Sequence, residues 1–289
     1  MKRALVISSF VSGSNVGGSL AMKVLPQFGV EVNLLPTTLL GRHPGWGVPG
    51  GGAVPDELFS GMIDGLNANN LVSSADVIVT GYFASAEQVL QTVRLLDNLP
   101  ERQAPVIVDA ILGDCGKGLY VKEDVAEAMT EALLPRADIL KCNSWEYGEI
   151  VRRAGGHMDP ARQDIPIKEM RPWITQGTDL GMTIYISSVR RKGKIGALCA
   201  DRDGAYWSGH ACAADGKSVP NGLGDLMTCL IAANSTEEPL SASCLVSSVL
   251  GDFLPIYEAQ TFDQPSELNL ASLGLVVDVK RQASVQTIW

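Results

Sequence analysis

Positive charge, histidine and paired cysteines are all scarce in this sequence. Lys and Arg number 23 against 32 Asp and Glu, a formal net charge of −9. Nonspecific nucleic-acid binding works by cations displacing counterions from phosphates, so this acidic balance argues against a nucleic-acid partner. No apolar run approaches the ~18 residues of a membrane-spanning helix, which argues against a membrane partner. The six cysteines (115, 142, 199, 212, 229, 244) are dispersed without a C-x-x-C pair. Several sit in apolar patterns where Cys behaves as a small hydrophobe, so they read as reduced core thiols in a cytoplasmic protein and not as a disulfide scaffold. Of the 3 histidines, His157 and His210 have no partner at metal spacing and read as surface residues. Internal repeats and low-complexity linkers are missing too, and residues 1–289 read as a single domain.

What is present is an ordinary globular composition, 46% apolar with 30 Gly and 15 Pro. The start, Met1-Lys2-Arg3 before Ala4-Leu5-Val6-Ile7, imitates a secretory leader, but Ser8-Ser9 and Gly13 interrupt the apolar run, and a first strand is expected. Short β-branched runs at 4–7, 30–35, 76–80, 105–111, 138–143 and 182–187 predict strands. Helix-period segments lie between them near 18–28, 55–68, 85–97, 123–134, 145–154 and 167–176. Pro55-Asp56-Glu57 marks one helix start and Ser85-Ala86-Glu87-Gln88 has the form of a capping box. Near-continuous apolar strands alternating with helices predict an α/β fold, with a mostly parallel sheet covered on both faces. Past residue 188 the style changes to a hairpin, 194–200 and 204–207 around Asp201-Arg202-Asp203-Gly204, then to helices near 224–236 and 243–258. The stretch from Gly41 to Pro55 is too rich in Gly and Pro for regular structure and too long for a connector, which predicts a functional loop.

Two nucleotide motifs are only imitated. Gly216-Lys217-Ser218 lacks the earlier glycine of a P-loop and runs into Val219-Pro220 where a helix should start. Gly13, Gly17 and Gly18 follow strand 1, but residue 15 is Asn and the dinucleotide G-x-G is absent.

Asn221-Gly222-Leu223-Gly224-Asp225, before the apolar helix 226–233, is the sharpest signal. Glycines bracketing one residue let backbone N–H groups converge at a helix N-terminus, where an anion is favoured. An Asp in that first turn can accept a proton from an attacking hydroxyl. Alone, the segment fits a glycine turn with an acidic cap equally well. A second group changes the balance: Asp114, Asn143 and Glu146 all follow strand ends, the edge where open α/β sheets bind ligands, and offer hard oxygens for Mg²⁺ escorting a nucleotide.

Gly222-Leu223-Gly224-Asp225 resembles the G-x-G-D signature of the ribokinase-like superfamily, and Asn143-Ser144-Trp145-Glu146 its N-x-x-E motif. Asp109-Ala110-Ile111-Leu112-Gly113-Asp114, with Gly116-Lys117-Gly118-Leu119-Tyr120-Val121, resembles the D-P-V-M-G-D and G-K-G-L-Y-V segments of the pyridoxal kinase family. Thr80-Gly81-Tyr82 and the run 133–140 fit the same family, and order and spacing hold from residue 4 to about 270. The resemblance implies a three-layer ribokinase-like α/β/α fold and an ATP-dependent small-molecule kinase that phosphorylates the hydroxymethyl group of pyridoxal, pyridoxine or pyridoxamine.

Asp225 would then be the catalytic base, and the amides of Gly222, Leu223 and Gly224 the anion hole. Asp114 and Glu146 would act near Mg²⁺ and the ATP phosphates with Asn143 assisting, Ser187 and Ser188 would lie on the nucleotide side, and residues 116–120 would close over ATP. Ser9, Val16, Tyr82 and His43 would line the acceptor. The resemblance also implies a homodimer and leaves open a monovalent cation such as K⁺. Departures occur at the acceptor: S-N-H-T-G-Y becomes Gly41-Arg42-His43-Pro44-Gly45-Trp46, and Q-S-H becomes Ser8-Ser9-Phe10. Fewer hydrogen-bonding groups there leave another alcohol, a hydroxymethylpyrimidine or a sugar, as an alternative acceptor, and a non-catalytic ligand-binding homologue as a further one. Lys141-Cys142 also replaces T-P before Asn143, a change on the phosphate side.

Overall fold

The computed structural model describes residues 1–99, 104–160, 162, 165–191, 193–211, 221–235, 268, 270 and 285–289. In chain order the strands are β1 (Lys2–Val11), β2 (Val30–Leu40), β3 (Gly51–Ala53), β4 (Val77–Thr80), β5 (Val106–Asp109), β6 (Gly113–Asp114), β7 (Gly118–Leu119), β8 (Ile139–Asn143), β9 (Thr183–Arg191), β10 (Lys194–Ala200), β11 (Ala205–Ala211) and β12 (Val285–Thr287). The α-helices are α1 (Gly17–Val24), α2 (Asp56–Ala68), α3 (Ala86–Asp97), α4 (Glu123–Ala128), α5 (Ser144–Arg153), α6 (Ile167–Asp179) and α7 (Leu223–Ala233).

Ten strands form one sheet in the order β12-β11-β10-β9-β8-β5-β4-β1-β2-β3. The stretch from β2 through β1, β4, β5 and β8 to β9 is parallel. The period-2 alternation of each strand decides which layer each side chain joins. Leu5 and Ile7 of β1, Ile78 of β4 and Val106 and Val108 of β5 enter a core shared with α2 to α6. Their neighbours Ala4, Val6, Val77, Val79 and Ile107 enter a second core with α1 and α7. The expected three-layer, mostly parallel architecture is therefore present. The chain leaves β1 towards β2 and later returns past it to β4, so the carboxyl ends of β1 and β4 flank a topological switch point, where such sheets open a ligand crevice.

Several local expectations need correction. Residues 41–55 are not wholly irregular: Gly51–Ala53 pairs antiparallel with β2, where Gly51 takes φ +80° and a Cβ would stand 2.0 Å from the Leu39 carbonyl oxygen, so only glycine fits. The helix expected over 123–134 is α-helical only to Ala128 and continues as a π-turn over Met129–Leu133. Pro55 stands at the N-cap of α2, one residue before the first turn. Only half of the expected capping box at α3 forms: Ser85 accepts from the Gln88 N–H at 3.1 Å, whereas the Gln88 side chain turns to Ala84 N, Thr37 O and Val54 O. The hairpin at 201–204 closes as expected, with Asp201 Oδ1 accepting from the N–H groups of Asp203 and Gly204. The P-loop imitation at 216–218 and the helix expected over 243–258 lie outside the described residues, as does the side chain of His210. His157 is exposed.

Candidate active site

The amino end of α7 is shaped by backbone constraint. Gly222, its N-cap, has φ +93°, and a Cβ there would stand 2.3 Å from the Asn15 carbonyl oxygen. Leu226 N–H bonds back to Gly222 O at 2.8 Å and closes the first turn. Asp225 lies in that turn, and its carboxylate accepts the backbone N–H of Gly17 and its own N–H. Gly17 opens α1 with φ +53° and packs where a side chain would meet Ser9 Oγ at 2.3 Å. The end of β1, the start of α1 and the start of α7 thus converge on one carboxyl group. Burial, then the charge of Asp109, pushes the Asp225 pKa up to about 6 against the pull of Lys141 and the two N–H groups. A carboxyl with that pKa is ionised at neutral pH yet basic enough to take a proton.

Beneath this turn lies a buried ion pair. Asp109 and Lys141 are opposite one another on β5 and β8, Nζ to Oδ1 2.9 Å, their side chains 3% and 6% exposed. The Thr228 hydroxyl reaches the other Asp109 oxygen at 2.5 Å and the Gly224 carbonyl at 3.1 Å. Burial works against the ammonium, but the charges of Asp109, Glu146 and Asp225 outweigh it and hold Lys141 protonated. Sequence reasoning noted Lys141 only as a substitution and did not name Asp109, Thr228 or Gly17 as site residues. A signal was available: a lysine inside Ile139-Leu140-Lys141-Cys142 and an aspartate ending Val106-Ile107-Val108-Asp109 each break an apolar strand and each require a counter-charge.

The residues expected on the nucleotide side share one edge. Asn143 caps α5 by accepting the Glu146 N–H at 2.8 Å, and the Glu146 carboxylate returns a bond to Asn143 N at 2.6 Å. Glu146 also accepts from Leu112 N at 3.1 Å and Gly113 N at 3.4 Å, and Asn143 Nδ2 donates to Gly113 O at 2.9 Å. Together they staple the β6–β7 hairpin to α5. Burial raises the Glu146 pKa even with Lys141 and these N–H donors opposing it. Asp114, on the hairpin and half-buried, accepts from Cys115 N at 2.8 Å and from the Tyr120 phenol. Burial and the charges of Asp114 and Glu146 push that phenol above its ordinary value. Ser187 is the register neighbour of Asn143 and donates to Cys142 O at 3.3 Å, and Ser188 takes φ +62°, a left-handed conformation uncommon outside glycine.

On the other side, Ser9 is buried at the end of β1 and Val16 caps α1. Tyr82 donates its N–H to Ser8 Oγ at 3.3 Å, across the switch point. His43 lies on the outer loop. Its Nδ1 accepts the Gly45 N–H at 3.0 Å and caps the 3-10 turn Pro44–Trp46, with the Trp46 ring 6.0 Å away. Among the described residues no three His, Cys, Asp or Glu side chains gather into a metal cage. The donor set fits the other mode of magnesium binding, in which one or two carboxylates complement substrate phosphates: Asp114 is the accessible one, while Glu146 already accepts three N–H bonds. Hollows lined by Met1, Met22 and Pro26, and by Pro105, Asp138 and Thr183, lie at the amino ends of the strands and contain none of these groups.

No protein-family model matches the chain. It is 31% identical over 247 residues to the pyridoxine/pyridoxal/pyridoxamine kinase of Bordetella avium, covering 82% of this chain and 80% of that one. Its fold matches the pyridoxal kinase of Entamoeba histolytica with a TM-score of 0.83 at 24% identity, and that of Leishmania donovani in complex with ADP and ginkgotoxin with 0.84 at 23%, each over 100% of both chains.

Proposed function

The chain belongs to the pyridoxine/pyridoxal/pyridoxamine kinase family, and on that premise we propose that it transfers the γ-phosphoryl group of ATP to the hydroxymethyl group of pyridoxal, and likewise of pyridoxine and pyridoxamine. The observation that carries the reading is the Asp225 carboxyl, raised to about 6, in the first turn of a helix entered through Gly222 and Gly224. Asp225 takes the proton of the acceptor hydroxyl as its oxygen attacks phosphorus in line. The N–H groups of Gly222, Leu223 and Gly224 meet the negative charge on the transferring group, at the positive end of the α7 dipole. Positioning and charge neutralisation supply most of the catalysis in such a transfer, so this turn matters as much as the base.

Asp114 would hold magnesium together with the phosphates, with Glu146 acting nearby through water or through the hairpin it anchors. Such an ion would offset the negative charge of the phosphates. Asn143, Ser187 and Ser188 line the nucleotide side, and residues 116–120 fold over it to limit access of water to the γ-phosphate. Ser9, Val16 and Tyr82 face the acceptor ring, with His43 closing from the outer loop. The reading includes a homodimer, supported by the family resemblance, and a cytoplasmic location, supported by Cys115, Cys142, Cys199 and Cys229 forming no disulfide among the described residues.

A second acceptor reading has its own support: His43 spends Nδ1 on Gly45, and Pro44 has no N–H to offer. One panel separates the two. Purified protein with Mg²⁺ and ATP is given pyridoxal, pyridoxine, pyridoxamine, a hydroxymethylpyrimidine and a sugar, with ADP and phosphomonoester measured. The expected result is ester formation with the pyridoxal group. Turnover confined to another alcohol moves the acceptor, and binding of pyridoxal without ADP formation removes the kinase reading.

A further inference from the structure

Lys141 carries a full charge on the floor of this site. It stands in β8 between apolar neighbours, 5% exposed, where an ammonium is tolerated only if its charge is met. Asp109 meets it with one hydrogen bond, and Asp109 is its only hydrogen-bond partner among the described residues. An ammonium has three donors. The head group faces the glycine turn: Nζ is 3.0 Å from the point where a Cβ on Gly224 would stand, so glycine at that position leaves the charge open towards the amino end of α7. Thr228 joins Asp109 to the Gly224 carbonyl and makes ion pair and turn one hydrogen-bonded unit.

Among the described residues, the groups whose charges act on this ammonium are all carboxylates. Asp109 and Asp225 act on Lys141, Glu146 joins them when it ionises, its pKa being raised to about 8 by burial, and arriving phosphates add to them. A partly dry site that collects carboxylates and phosphates requires a fixed counter-charge, from a protein group or from a small bound cation. We infer that the Lys141 ammonium is that counter-charge, a positioning residue that holds the Gly222–Asp225 turn in register with the phosphates and makes a monovalent metal ion unnecessary at this spot. The K⁺ left open by the sequence is thereby replaced by a side chain. The inference rests on the kinase reading above.

The test compares the wild-type protein with Lys141→Ala and Lys141→Met, using Mg²⁺, ATP and pyridoxal in tetramethylammonium, potassium or ammonium chloride at one ionic strength. Alanine opens a hole beside Asp109 that K⁺ or NH₄⁺ can enter, whereas methionine fills it without charge. Wild-type turnover should differ less than about 2-fold among the salts. Lys141→Ala should fall about 100-fold in tetramethylammonium, in kcat more than in KM, and recover about 10-fold or more in K⁺ or NH₄⁺, while Lys141→Met falls and does not recover. A wild-type requirement for K⁺, an alanine variant that needs no cation, or a folded alanine variant that no cation restores would each overturn the inference.

If Lys141→Ala does not fold, the neutral pair Asp109→Asn with Lys141→Met takes its place. It should fold with turnover reduced about 100-fold in every salt, and full turnover overturns the inference. A further arm does not depend on the acceptor. Crystals soaked in rubidium chloride should show Rb⁺ beside Asp109 in Lys141→Ala and none there in the wild type; the reverse pattern, or a vacant hole in the variant, is contrary. Failure of the wild type to phosphorylate pyridoxal thus counts against the functional reading, while the rubidium positions decide the role of Lys141.

Discussion

Around Asp225 the charged groups sit at strand ends and helix termini, buried and bonded: Asp109 to Lys141 and Thr228, Glu146 to three backbone N–H groups, Asp225 to Gly17. The loop of residues 41–53, proposed to face the acceptor, is built differently. It is mostly exposed and rich in Gly and Pro, and main-chain bonds such as Gly41 N to Pro49 O and Gly13 N to Gly41 O hold it in place. Groups that handle phosphoryl charge need fixed positions in a low-dielectric setting, where each is worth most and an unpaired one is costly. A loop that selects an acceptor can vary at the rim without disturbing that centre. The family pattern is correspondingly intact at Gly222-Leu223-Gly224-Asp225 and altered around His43.

Four experiments probe this contrast. The largest effect belongs to the centre: Asp225→Asn should lower turnover by about 10³- to 10⁴-fold while ADP binding, followed by calorimetry, is retained. Turnover within tenfold of the wild type would remove Asp225 as the base. Next comes Asp109→Ala, which strands a buried ammonium and should cost about 3–5 kcal/mol in denaturant unfolding. A loss under about 1 kcal/mol would mean that the pair is solvated like a surface one.

The third is pH. As the proposed base Asp225 must be ionised to accept a proton, and burial pushes its pKa up to about 6, so log kcat/KM should be level above that value and fall with unit slope below it. Because the ammonium lowers the Asp225 pKa, Lys141→Met should move this limb to higher pH. An acid limb near pH 4 would show a carboxyl free of the burial described. The smallest effect is expected on the rim. His43→Ala should raise KM for the acceptor about 3- to 10-fold with kcat little changed, and lower stability by no more than about 1 kcal/mol, the worth of the turn cap at Gly45.

Much of this was legible before folding is considered. Alternating and continuous apolar runs announced the parallel strands, and the pair of glycines before Asp225 announced a helix start entered through glycine. The edge strand β3 was not legible, since Gly51-Gly52-Ala53 has no strand propensity and pairs only because β2 lies alongside. Nor was the second duty of Asn143 and Glu146, whose bonds to Gly113 and Leu112 span about thirty residues of chain. Lys141 and Asp109 each stood out as a charge in an apolar strand. That they neutralise one another follows only from β5 lying next to β8.

The order of residues alone determined the layers, because side-chain period sets which face of a strand is apolar, and it determined where glycine could give the backbone a positive φ at the start of a helix. Which carboxyl group stays ionised, which is raised, and which cation stands among them was decided by the tertiary structure. Electrostatic energy depends on distance and on water excluded between groups, and those are fixed only when distant segments of the chain meet.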